Sequence, residues 1–201
     1  MNLRDLEGGP QAFEQGTQGL RAETYLRTYP SLLALARSHR CDDQLLHQLM
    51  CVAYGWMPRI LRIDSEFLPA SVATLALVRD ADIHNWHEIS IDPLAKCVRS
   101  AVGASKILHF VNPEVFPIWD SKVERLRCKR PVMSDKHMSK VIHYNAYLRE
   151  VHAMAQEPQA EAFCASMNRS LRDRLSTLSI EPYSVCNVRA IELAAFSLAI
   201  N

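Results

Sequence analysis

The stretch Gly103–Val123, GASKILHFVNPEVFPIWDSKV, holds the densest pattern in the chain. Lys106 stands near the start of a helix-like run in which Ile107, Leu108, Phe110 and Val111 supply an apolar side. Asn112-Pro113 ends that run, because the residue before a proline is pushed out of the helical region. Pro117 keeps the chain extended, and Asp120 or Ser121 then caps a new helix. A lysine and an aspartate therefore bracket one proline-bounded turn.

Just upstream, Asp92-Pro93 opens a helix with a capping carboxylate and a proline at the first helical position. The spacing predicts a helix over 92–101 that gives way at Ser100-Ala101-Val102-Gly103 to a second helix starting at Ala104. Two helices joined by so short a Gly-containing turn form a hairpin. The amide N–H groups and dipole at the start of its second helix suit one backbone phosphate.

Further out, the pattern stays helical. Thr17 to Ser38 reads as two helices divided at Pro30. Asp42 or Asp43 caps a helix through Leu45, Leu46, Leu49, Met50 and Val52, with Gly55 near its end. Val72, Leu75, Ala76 and Val78 recur at helical spacing after Pro69. Ser134 or Asp135 begins a long helix through Ile142, Tyr147 and Val151. Pro158 opens another, and the last runs from about Cys186 to Leu198. Arg59–Asp64 and Glu88–Ile91 alternate briefly, as short extended connections. No repeat or flexible linker divides the chain. The expectation is an all-α, compact single domain over 1–201 with about nine or ten helices of ordinary length. The hairpin and candidate site fall at 92–126.

Composition bounds the function. A chain of 201 residues that is 48% hydrophobic can bury one sizeable core. A formal net charge of +1 excludes a chain that seeks polyanions as a whole, so nucleic-acid affinity has to come from a local patch. Such a patch follows Asp120: Lys122, Arg125, Arg127, Lys129, Arg130, Lys136 and Lys140 stand against Glu124 and Asp135. The alternative for this run is a solvated helix end. The six cysteines are scattered without a C-x-x-C spacing, which suits reduced thiols rather than a disulfide frame or zinc knuckle. MNLRDLEGGPQAFEQG has no basic segment leading into an apolar one, and no apolar run is long enough to span a bilayer. The expectation is a cytoplasmic monomer with no membrane partner.

Val102-Gly103-Ala104-Ser105-Lys106 and Phe116-Pro117-Ile118-Trp119-Asp120, in that order, resemble the helix–hairpin–helix DNA glycosylase superfamily, especially its 8-oxoguanine-glycosylase-like branch. The resemblance covers residues 92 to about 126 within an all-α context. The motif is degenerate. Ser100 or Ala101 replaces the usual first glycine, Lys106 lies one position later than the family lysine, and Ser105 occupies the usual place. The lysine-to-aspartate separation is also several residues shorter. The resemblance implies that the hairpin, with Gly103 and Ser105, grips a phosphate of double-stranded DNA. It implies that Asp120 sits beside a flipped nucleoside, and that Lys106 is a nucleophile or a phosphate contact. The basic run beside that site makes Lys122, Arg127, Lys129 and Arg130 the candidate DNA contacts, and no cofactor is expected. The resemblance extends to bacterial glycosylases that act on modified phage DNA, which places the chain in the bacterial cytosol or nucleoid.

The chemistry fits those residue types. Breaking an N-glycosidic bond builds positive charge on the sugar, which a carboxylate near C1′ stabilises while activating water or an amine. A desolvated lysine attacks C1′ directly. Base-flipping enzymes also need a wedge and a stacking pocket, for which Trp56, Met57, Arg59, His109 and Trp119 are candidates. The other reading of Trp56 is a buried tryptophan at a helix end, and that of His109 a buried, hydrogen-bonded histidine. His84 and His87 lack a third ligand, so no metal is expected. Arg189 and Glu192 read as a structural pair on an apolar helix. The rival to a glycosylase is a non-enzymatic all-α DNA-binding or regulatory protein that keeps the hairpin.

Overall fold

The computed structural model describes residues 1–16, 20–38, 40–57 and 60–200, and every regular element among them is helical. Eleven α-helices follow in chain order among the described residues: α1 Gly9–Gly16, α2 Leu20–Ser38, α3 Asp43–Gly55, α4 Leu68–Arg79, α5 Asp92–Cys97, α6 Ala101–Val111, α7 Ser121–Cys128, α8 Asp135–Met138, α9 Val141–Ala155, α10 Ala160–Thr177 and α11 Asn187–Ile200. Short 3-10 turns lie at Leu3–Leu6, Ser65–Phe67 and Trp86–Glu88. Among the described residues no helix is long and apolar enough to cross a membrane.

Two helices organise the packing. All of α6 except Val102 is buried, and it packs against α2, α3, α4, α5 and α9. Helix α11 packs against α1, α7, α9 and α10. One contiguous buried cluster draws side chains from each of the eleven helices, from Phe13 on α1 to Ala195 on α11. Its burial is the main favourable term in folding.

Local chemistry sets the helix ends. The Asp42 carboxylate accepts the Leu45 N–H at 2.9 Å and caps α3. The Ser100 hydroxyl accepts the Gly103 N–H at 3.0 Å and caps α6. Asn112 ends α6 and donates its side-chain amide to the Val78 and Ala81 carbonyls, each at 2.9 Å, which satisfies the C-terminal end of α4.

Several boundaries differ from the sequence reading. Helix α2 runs through Pro30 without a break. A proline leaves the carbonyl four residues back without its helical donor, and the Tyr183 hydroxyl supplies one to the Leu26 carbonyl at 3.1 Å. The expected long helix from Ser134 splits at Ser139-Lys140 into α8 and α9. Residues 60–64 are irregular, and no strand occurs among the described residues. The hairpin turn is Val98-Arg99-Ser100, with Arg99 at φ 51°, so Gly103 lies inside α6 rather than in the turn. The N-terminal segment, which carried no helical reading, forms α1 and docks on α10 and α11.

Gly9 explains that docking. A Cβ added there would lie 2.5 Å from Ala194 Cβ and 3.0 Å from Ala194 Cα, so α1 and α11 touch backbone to backbone. Gly9→Ala is expected to lower stability by about 2–3 kcal/mol, as overpacking does in a closed contact. Urea denaturation measures it, and an unchanged midpoint would show that α1 does not rest on α11.

Candidate active site

Asp120 takes its position from the helix it begins. Its backbone is extended (φ −146°, ψ 177°), and its Oδ1 accepts the Lys122 and Val123 N–H groups, both at 2.9 Å. Oδ2 accepts no hydrogen bond among the described residues. The residue is half-buried. One carboxylate oxygen is thus fixed by the helix while the other stays available, against the positive end of the α7 dipole.

The chain leading to Asp120 is a buried, irregular segment, and side chains from the surrounding helices satisfy its backbone. The Ser105 hydroxyl of α6 donates to the Val102 carbonyl at 2.8 Å and accepts the Trp119 N–H at 3.1 Å. His109, also on α6, donates from Nδ1 to the Phe116 carbonyl at 2.8 Å. That leaves Nε2 to accept from the Tyr29 hydroxyl at 2.9 Å. Burial, and then the Arg189 charge, hold the His109 pKa well below its ordinary value, so the ring is neutral. From α9, Tyr144 donates to the Pro117 carbonyl at 3.1 Å and His152 to the Val115 carbonyl at 2.9 Å. The Cys186 thiol reaches the Pro113 carbonyl at 3.1 Å.

Glu124, fully buried, closes this arrangement. Its Oε2 accepts from Trp119 Nε1 at 2.9 Å and Arg127 Nε at 2.7 Å. Its Oε1 accepts from Arg127 Nη2 at 2.7 Å and His137 Nε2 at 2.6 Å. Arg127 continues to Glu150 at 2.7 Å, and His137 stacks on His143 with centroids 3.6 Å apart. Burial pushes the Glu124 pKa up, but the hydrogen bonds from Arg127, His137 and Trp119 outweigh it and bring the carboxyl down to about 2. The metal-type donors of Glu124, Cys128 and His137 lie within 4.8 Å of one another. Because the Arg127 guanidinium already binds both carboxylate oxygens, the cluster is an ion-pair hub.

The remaining candidates fall in different surroundings. Lys106 is buried, and its Nζ donates to the Trp56 carbonyl at the C-terminal end of α3 at 3.2 Å. Two hollows lie elsewhere: one under Trp86 and Phe116, the other along α7. Neither is lined by Lys106 or Asp120. Gly103 lets α6 approach α3, since a Cβ there would meet the Tyr54 ring at 3.1 Å and Met57 at 3.4 Å. Trp56, half-buried, lies 4.7 Å from the Tyr25 ring and 5.3 Å from Phe110. Arg59 lies outside the described residues.

Four expectations are corrected. His109 and Trp119 have no exposed surface and hold backbone and carboxylate groups, so neither can stack on a base in this arrangement. Ser105 is buried against Trp119 and offers nothing to a phosphate. Arg127 is locked between Glu124 and Glu150, so it is no surface contact. Lys122, Lys129 and Arg130 do line one groove. The residues missed by sequence reasoning are Glu150, His137 and His143. Only the Glu124–Arg127 spacing of three on a helix signalled the hub.

Ser105→Ala removes the partner of a buried N–H and is expected to cost about 1–3 kcal/mol, read by urea denaturation. A cost near zero would show that water reaches Trp119.

Glu124→Gln breaks a buried ion pair and is expected to cost about 3–5 kcal/mol at neutral pH. The native carboxyl titrates lower than in the unfolded chain. Its contribution is therefore present above about pH 4.5 and fades as pH falls toward about 2. Thermal melts across that window should fall by about 3 kcal/mol more for the wild type than for the variant. Parallel curves would show that Glu124 is not the depressed group.

Compared with known proteins, the chain matches no family model, no curated protein and no solved structure.

Proposed function

We propose that this protein is a DNA N-glycosylase that flips a damaged or modified base out of double-stranded DNA and hydrolyses its N-glycosidic bond, leaving an abasic site. The reading takes it as a monomer working in the bacterial cytosol, with modified phage DNA among its candidate substrates. The observation that carries it is Asp120. A helix N-terminus holds one of its oxygens, and the other accepts no hydrogen bond among the described residues, on a segment pinned by Ser105 and by the Trp119–Glu124 bond. Such a carboxylate is preorganised, so it stabilises the sugar cation without having to reorient during bond cleavage. It also accepts a proton from the attacking water. Lys106 donates to the Trp56 carbonyl, so covalent attack by its amine requires that bond to break. Trp56 and Met57 are the base-pocket candidates that remain half-buried near it.

A second reading, a DNA-binding protein without base chemistry, draws on one observation. Neither hollow is lined by Lys106 or Asp120, whereas α7 presents basic residues to an open groove.

One experiment separates the two. The protein is incubated with duplexes carrying a panel of damaged and modified bases and with phage DNAs, and abasic sites are scored. Asp120→Asn keeps a capping side chain and should fold, but base release should fall by about two orders of magnitude or more. Borohydride trapping of the wild type and not of Lys106→Ala would make Lys106 the nucleophile. Full base release by folded Asp120→Asn would remove Asp120 from the chemistry. Binding without release from any substrate favours the second reading.

A further inference from the structure

Helix α7 carries charge on two opposite sides. Glu124, Arg127 and Cys128 share the inner side and are consumed by the hub. Lys122, Arg125 and Leu126 recur at spacings of three and four, so they share the outer side, and Lys129 follows as the left-handed C-cap residue. With Arg130 and Pro131 beyond the helix, and Ala199 of α11, they line an open groove of about 340 Å³.

The cations of this groove are lightly engaged. Lys129 is 80% exposed and makes a loose pair with Asp5 at 3.9 Å. Arg125 gives one hydrogen bond, at 3.3 Å, to the Pro131 carbonyl. Lys122 lies over the Phe196 ring, 5.4 Å from its centroid. Among the described residues none of the four cations has a closer carboxylate partner, in contrast to Arg127 on the same helix. Leu126, Pro131 and Ala199 add apolar lining to the same groove.

The spacing matches a polymer of regularly placed anions. An eight-residue helix is about 12 Å long at 1.5 Å per residue, and over about that axial length one strand of duplex DNA carries three to four phosphates. The groove begins two residues after Asp120 and runs away from it along the same helix. We propose that this groove binds the sugar–phosphate backbone of one DNA strand. Phosphates sit on Lys122, Arg125, Lys129 and Arg130, deoxyribose lies against the apolar lining, and the strand is led toward Asp120. The proposal rests on the DNA reading above but not on base release.

The test uses the full chain and a fluorescein-labelled, unmodified DNA duplex of about 20 base pairs, long enough to cover the groove. Anisotropy is read over a range of KCl concentrations. The variant K129E/R130E changes two exposed residues, and its fold is checked by thermal melting. Its affinity should fall at least about tenfold, and the slope of log K against log salt should shrink by about two, near 0.9 for each phosphate that is no longer neutralised. The control R169E/R172E makes the same charge change on exposed positions of α10, outside the groove, and should keep the wild-type slope. Equal losses in both variants would overturn the proposal, because net charge alone would account for the binding. So would an unchanged slope in K129E/R130E, no binding by the wild type, or displacement of the DNA by polyglutamate at equal charge, which would make an acidic polypeptide the occupant. Unmodified DNA offers no base to release. A failed slope therefore rejects the groove, and failed base release with the slope intact rejects only the glycosylase.

Discussion

A buried chain segment that is neither helix nor strand must find a partner for each backbone N–H and C=O, since every orphan costs as much as a lost hydrogen bond. The connection from α6 to α7 meets that constraint with side chains. Ser105 takes the Trp119 amide, while His109, Tyr144, His152 and Cys186 take the carbonyls of Phe116, Pro117, Val115 and Pro113. These donors come from α6, from α9 and from the residue just before α11. The path of this one segment therefore fixes how the central helix, the α9 helix and the C-terminal helix sit around it.

Glu124 extends the same logic to charge. A carboxylate without exposed surface is tolerated only when paired and hydrogen-bonded. Its partners Trp119, Arg127 and His137 tie the buried connection, α7 and α8 together, and Arg127 carries the link to Glu150 on α9. Asp120 begins the helix that contains Glu124 and follows Trp119 directly. Its backbone is thus fixed on both sides, and one carboxylate oxygen accepts the Lys122 and Val123 amides of α7. This is the kind of support that a precisely placed functional group requires. The two sides of α7 consequently differ in kind. The inner side builds the fold, and the outer side leaves its cations to the groove.

The all-helical class and several helix ends were legible in the sequence, because they depend on local chemistry. Asp42, Asp120 and Ser134 cap where their side chains reach backbone amides two or three residues on, and Asn112-Pro113 stops α6 for steric reasons. The order of lysine, proline turn and capping aspartate was equally visible. The structural pairing of Arg189 with Glu192 followed from their spacing of three on an apolar helix.

What the sequence could not decide depends on contacts between distant residues. Pro30 is compatible with helix only because Tyr183, far along the chain, supplies the missing donor to Leu26. The GGP-containing start becomes α1 only because Gly9 lets it lie directly on Ala194. The run of charges after Asp120 reads as one patch in one dimension. The helix's turn of about 100° per residue, 3.6 residues per turn, sends Arg127 inward to Glu124 and Glu150 and leaves Lys122, Arg125 and Lys129 outside. Tertiary burial also decided Lys106. Its amine meets the Trp56 carbonyl because Gly103 brings α6 close to α3, and no local pattern could show that helix beside it.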